Sequence, residues 1–245
     1  MNVESTRPQI ETARLIGLPL VILATLLLPI ISRYHPAIIS LKITSQNYVN
    51  QLLTYQLITF GLTAVVLLAL YLIGPLTFSR YFRAGQRDAT VEPVRALGIN
   101  TNGKETWRQV GRNFAIIITA VTSLFLYLTL LRGQTVGPVN WGYLLFVPLL
   151  AAVNAFVEEA ITRFGVVVTL EGFLPRGMIY LASAALFGGV HYFGTPGGFA
   201  GVAMAGFLGW LLAKSVVETR GIFWAWFIHF LQDVVIFGAL FLVNM

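Results

Sequence analysis

Cysteine is absent from all 245 residues, so this chain cannot build a disulfide, a thiolate nucleophile or a Cys-based zinc or iron–sulfur site. Charge is also scarce. Lys, Arg, Asp and Glu make up 11% of the residues, and there are ten acids and three histidines in total. Recognisable hydrolase signatures are missing as well. There is no His-Glu-x-x-His zinc motif, no Gly-x-Ser-x-Gly elbow and no Gly-Asp pair of the intramembrane aspartyl type. No internal repeat, low-complexity stretch or segment of soluble-domain composition interrupts the chain. Any chemistry must therefore come from oxygen and nitrogen groups in an apolar setting.

What is present is hydrophobic bulk: 57% of the residues, at a mean hydropathy of +0.78. That composition indicates an all-α, polytopic transmembrane helix bundle. Apolar runs at about 13–31, 52–78, 113–131, 141–170, 177–194, 199–217 and 221–243 predict seven spans, or eight. They follow a short tail at 1–12, and residues 13–245 form a single membrane domain. The first run reads as a retained helix, not a cleaved signal. Pro19, Pro29 and Pro75 should bend or end their helices, and Gly133–Pro138 and Pro196-Gly197-Gly198 should be loops.

The net charge of +6 is concentrated in one connection, which argues for anionic headgroups rather than nucleic acid. Arg80, Arg83, Arg87, Arg95, Lys104, Arg108 and Arg112 stand there against Asp88, Glu92 and Glu105, the bias expected of a cytoplasmic loop. It predicts a cytoplasmic amino terminus, with Arg163, Arg176, Lys214 and Arg220 toward the same side. Trp141, Tyr143, Trp224 and Trp226 fit interfacial belts. Gly201, Ala205 and Gly209 recur every fourth residue and should let a second helix approach closely.

Against this background a few ionisable residues stand out. Glu158, Glu159 and Arg163 share one apolar run, Phe187 and His191 another, and His229 and Asp233 a third. Single buried ion pairs or histidines can simply fix packing. Acids and imidazoles gathered from three runs point instead to a hydrolytic site, because ionisable groups at membrane depth are costly.

On a helix Glu159 and Arg163 share a face, whereas Glu158 and Arg163 diverge by about 140° at 100° per residue. Glu159 is thus the expected partner of Arg163, leaving Glu158 to act as general base. Phe187 should pack on His191, and Asp233, one turn after His229, can orient that imidazole or bind the same water or ion. Ser183 is a weak nucleophile candidate and reads as a small packing residue.

Glu158-Glu159-Ala-Ile-Thr-Arg163, Phe187-Gly-Gly-Val-His191 and His229-Phe-Leu-Gln-Asp233 together resemble the three motifs of the CAAX protease and bacteriocin-processing (Abi) family of glutamic-type intramembrane proteases. The resemblance covers a protease-like core at about 140–243. It implies a helical bundle with a cavity open toward the cytoplasm, in which Glu158 activates water, His191 assists and moves the proton, and His229 with Asp233 stabilises the oxyanion. The prenyl-protein endopeptidases of the family have Asn at the last position, where this chain has Asp233. Catalytic residues are thus expected at Glu158, His191, His229 and Asp233, supported by Glu159, Arg163 and Phe187.

The expected function is an intramembrane endopeptidase acting on a membrane-delivered peptide or protein, in a multi-pass protein of a bacterial plasma membrane. The expected partners are that substrate and the bilayer, with no nucleic acid. No cofactor is expected, although zinc on His191 and His229 with the carboxylates is an alternative. A non-catalytic membrane partner would not need the charged motifs. A proton-coupled transporter would not favour an adjacent acid pair beside an arginine, and repeat symmetry is lacking.

Overall fold

The computed structural model describes residues 13–39, 41–134 and 141–244. The expected tail at 1–12 and most of the loop at Gly133–Pro138 lie outside the described residues. Those residues form helices and no strand. After a 3-10 turn at Arg14–Ile16 come α1 (Gly17–Ile38), α2 (Asn47–Ile73), α3 (Pro75–Tyr81) and α4 (Trp107–Leu126), the last continued by a π-helical turn at Tyr127–Leu131. The single turn α5 (Trp141–Leu144) leads into α6 (Phe146–Glu159), a second π segment at Ala160–Phe164 and α7 (Gly165–Leu170). Then follow α8 (Arg176–Val190), a 3-10 turn at His191–Phe193, α9 (Gly198–Thr219) and α10 (Phe223–Asn244).

Six of these helical stretches are long and apolar enough to cross a membrane: Arg14–Ile38, Asn47–Ile73, Trp107–Leu131, Trp141–Leu170, Gly198–Thr219 and Phe223–Asn244. The predicted fifth run is instead the 15-residue α8, about 22 Å at 1.5 Å per residue. The distribution of polarity is that of a multi-pass membrane protein. Large apolar side chains such as Leu57, Leu72 and Leu124 face outward, 59–69% exposed, while Thr59, Thr63, Gln56 and Asn154 are buried. Lipid accepts the first group, and the second must find partners inside the bundle.

Local signals explain several boundaries. Gly74 ends α2, and Pro75 starts α3 at the position where its missing N–H costs nothing. A reciprocal capping box between Thr106 and Gln109 opens α4. Of the two outcomes expected at Pro29, an end is not the one seen: α1 runs through Pro29 and Pro36 to Ile38. Proline is tolerated within membrane helices, where neighbouring groups and local adjustments can satisfy the freed carbonyl.

The helices alternate in direction relative to the basic connection, which wraps one end of the bundle. Arg176 at the start of α8 pairs with Glu92, and Lys214 near the end of α9 donates to the Glu92 carbonyl at 2.8 Å. Arg83 donates to the carbonyl of Arg220 at 3.0 Å, and Arg80 pairs with Glu171, just after α7, at 3.2 Å. The basic residues flanking α8 and α9 thus lie at one end with that connection. Arg163 differs from them in being fully buried within the bundle.

Close packing brings α8 onto α9. A Cβ on Gly188 would meet the Val202 carbonyl at 2.9 Å, and one on Gly209 would meet Ala184 and Ser183 backbone at 3.1 Å. The small-residue stripe is therefore a helix contact. Two of the expected belt residues bond within the protein: buried Trp224 has its ring against Gly111 of α4, and its indole N–H donates to the Arg87 carbonyl at 3.0 Å. Trp226 donates to the Ala152 carbonyl of α6 at 3.1 Å. Their N–H groups are thus used within the protein, that of Trp224 by the basic connection and that of Trp226 by α6. Trp141 is 75% exposed.

Candidate active site

The three motifs converge between α6, α8 and α10. The run carrying Glu158 and Glu159 is not one continuous α-helix, since it widens into a π turn over Ala160–Phe164. The expectation of 100° per residue therefore fails inside the motif. Such wide turns recur at functional sites. Here, the Thr162 hydroxyl donates to the Glu158 carbonyl at 2.6 Å, and the buried Ser183 hydroxyl donates to the Thr162 carbonyl at 3.1 Å. Ser183 thus braces the motif from α8.

Glu159 and Arg163 do pair, at 3.4 Å. The contact is within ion-pair range but is not aligned as a hydrogen bond, since Nη2 and Nε of Arg163 have no hydrogen-bond partner. Arg163 is held instead by the Thr162 hydroxyl and by the face of Phe187, with Cζ 3.4 Å from the ring centroid. This cation–π contact in a dry interior is of the stronger kind.

Phe187 also meets both histidines. Its ring centroid lies 4.1 Å from that of His191 and 5.6 Å from that of His229. The expected Phe187–His191 contact is present, and the same ring spans from the guanidinium to both imidazoles.

Hydrogen bonds define the imidazoles. His191 Nδ1 lies 2.8 Å from the Phe187 carbonyl. A carbonyl only accepts, so Nδ1 carries the proton and the neutral ring keeps its lone pair on Nε2. The ionisable neighbours that act on it are Glu158, His229 and Arg163. His229 Nδ1 lies 2.7 Å from Glu159 Oε1, so Glu159 orients this ring. The expectation that Asp233 would do so does not hold. Asp233 is 3.6 Å away on the opposite nitrogen, Nε2, as is Glu158 Oε2, both beyond hydrogen-bonding distance. Four-residue spacing brought Asp233 near the ring, but the better-aligned acid comes from another helix.

The adjacent glutamates are therefore unlike. Glu159 is 1% exposed and tied to His229 and Arg163, while Glu158 is 14% exposed. Glu158 Oε1 accepts from Asn154 Nδ2 at 3.1 Å, and Oε2 has no hydrogen-bond partner. Asn154 Nδ2 also donates to Asp233 Oδ2 at 3.1 Å. Beside Asp233, Gln232 anchors α10 to Thr122 and Thr119 of α4 at 2.8 and 3.0 Å.

Asn154, Gln232 and Thr162 are absent from the sequence-derived site. Asn154 stands four residues before Glu158, a readable spacing. The partners of Gln232 are in another helix and left no local signal. Among the described residues, no group of three or more His, Asp or Glu is arranged to hold a metal ion. The third histidine, His35, is elsewhere, with ring nitrogens 2.9 Å from the Ile31 and Gln51 carbonyls.

With this geometry in view, the comparisons with known proteins are specific to one region. Residues 140–235 match the family model described as type II CAAX prenyl endopeptidase Rce1-like, in agreement with the resemblance carried by the three motifs. The match spans all three motifs and leaves the amino-terminal helices outside it. No curated protein and no solved structure matches the chain. The matched family is one of membrane proteases, so a hydrolase of this kind is implied for the region that holds the site.

Proposed function

We propose that the protein is an intramembrane endopeptidase that cleaves a peptide or protein substrate with a water activated by Glu158. The observation that carries this reading is the unpartnered Oε2 of Glu158, on the more exposed of the two glutamates and beside His229. A buried carboxylate oxygen without a donor is costly unless something binds there, and an attacking water supplies the missing donor.

Glu158 takes a proton from water as its oxygen attacks the scissile carbonyl carbon. His229, fixed through Nδ1 by Glu159, offers Nε2–H to the developing oxyanion. When the tetrahedral intermediate collapses, the proton held by Glu158 passes to the departing amine, and Nε2 of His191 is the base that can relay it. Asp233 lies where its charge favours the imidazolium form of His229. Arg163, stacked on Phe187, balances part of the negative charge of Glu158, Glu159 and Asp233.

The amino terminus and the basic connection face the cytoplasm in this reading, and the substrate arrives from the membrane or that side. Zinc held by His191 and His229 is the alternative water activator.

Comparing the membrane proteome of cells carrying the wild type with that of cells carrying Glu158→Ala tests the function. Accumulated precursors and lost trimmed termini in the variant are expected, and identical termini would remove the proposal. Turnover should persist in chelator. Loss restored by zinc would assign water activation to a metal instead.

A further inference from the structure

The two carboxylates that flank His229 Nε2 are joined through a residue outside the three motifs. Asn154 gives one amide hydrogen to Glu158 Oε1 and the other to Asp233 Oδ2, both at 3.1 Å. Its own carbonyl oxygen lies 3.4 Å from Gln56 Nε2, which is also 3.4 Å from the Leu150 carbonyl. Asn154 and Gln56 are 7% and 5% exposed, so bulk water is a poor substitute for either partner.

With both carboxyls ionised, the amide can be oriented in only one way. Ionised carboxylates accept and do not donate, so the NH2 group of Asn154 must face them and its oxygen must face away. The contact from Gln56 stabilises that orientation. Gln56 belongs to α2, which lies outside the matched region 140–235.

We propose that Asn154, held by Gln56, is a positioning residue that couples Glu158 to Asp233, and that α2 is thereby part of the site. A neutral donor between two acids reduces their repulsion without neutralising either. It also divides the labour of the Glu158 carboxylate: Oε1 is fixed by the amide, and Oε2 is the oxygen left for water. Losing the amide frees the carboxylate to rotate and exchange its oxygens, and a misplacement near 1 Å is enough to cost about 100-fold in rate.

The kinetic half of this proposal rests on the endopeptidase reading, and the spectroscopic half does not. Full-length wild type, Asn154→Leu and Gln56→Met are purified in detergent, and their carboxyl infrared bands are recorded. The bands of the pair are assigned by their loss in Glu158→Gln and Asp233→Asn. Asn154→Leu should move the bands of both acids, and Gln56→Met should move the same bands less. On a cleaved substrate, kcat should fall roughly 10- to 100-fold in Asn154→Leu with KM within about twofold.

Unmoved bands in Asn154→Leu overturn the coupling, and if that variant does not fold, unmoved bands in Gln56→Met do so. Moved bands with unchanged kcat overturn the positioning role. Moved bands in a protein that cleaves nothing support the coupling and remove the endopeptidase reading instead.

Discussion

Two buried ionic clusters occupy different parts of the bundle, and they are finished to different degrees. Near the basic connection, Lys214 and Glu218 of α9 form an ion pair with both side chains 2% exposed. Lys214 also donates to the Glu92 carbonyl, and Glu218 Oε2 accepts from Trp107 Nε1 at 2.8 Å and from the Glu92 amide at 3.3 Å. No atom of that pair is without a partner. In the other cluster, Glu158 Oε2, Glu159 Oε2, and Nε and Nη2 of Arg163 have no hydrogen-bond partner. The first cluster pins the basic connection to α9. The second leaves four polar atoms without a partner from the bundle itself. Satisfaction of the hydrogen bonds, more than burial, separates a structural ion pair from a candidate catalytic one.

The largest effect that bears on this contrast belongs to Glu158→Gln. The amide keeps the shape but cannot take a proton, so turnover should fall on the order of 10³-fold, with the folded fraction by size-exclusion chromatography unchanged. An active Glu158→Gln protein would place the base elsewhere.

Lys214→Met should do the opposite. It leaves Glu218 buried without its cation, at a cost of about 3–5 kcal/mol, which thermal unfolding in detergent would register, while kcat per folded molecule stays at the wild-type level. Pairing it with Glu218→Leu removes the uncompensated charge but strands Trp107 Nε1–H and the Glu92 amide, so it should recover only part of the stability. A kcat loss in Lys214→Met protein that remains folded would show that the two clusters are not separate.

Glu159→Gln lies between these extremes. It weakens the contact that orients His229 and removes the anion beside Arg163, so folded yield and kcat should both drop, the latter by about 10- to 100-fold. A change confined to yield would confine Glu159 to packing.

The smallest change is expected of Asp233→Asn. An asparagine oxygen can still accept from Asn154, and His229 keeps its hydrogen bond to Glu159. Turnover should therefore stay within about tenfold of wild type. A much larger loss, with yield intact, would show that the charge on Asp233 is needed for the imidazolium.

Much of this contrast was legible in the chain only in part. Glu158, Glu159, Arg163, His191, His229 and Asp233 were conspicuous because ionisable groups are rare in apolar runs, and the Glu159–Arg163 and Phe187–His191 pairs were expected from four-residue spacing, although the first spans the π turn. Lys214 gave no such signal. As one base near a helix end it read as a flank of the basic side, whereas its burial depends on Glu92 and Trp107 arriving from distant segments. The indole partners were equally hidden: the N–H of Trp226 goes to the Ala152 carbonyl of another helix and that of Trp224 to Arg87 in the basic connection.

By itself, the sequence determined the helical runs, their outward apolar surface and the residue types of the site, because these depend on local composition and on periodicity along one helix. Only the tertiary structure decided that α8 is short, that the glutamate motif widens into a π turn and that Glu159, not Asp233, holds His229. It also decided that Asn154 and Gln56 stand behind the two acids. Each of these depends on which helix faces which, a matter of packing between segments as much as 98 residues apart, as with Gln56 and Asn154, and no spacing within one helix encodes it.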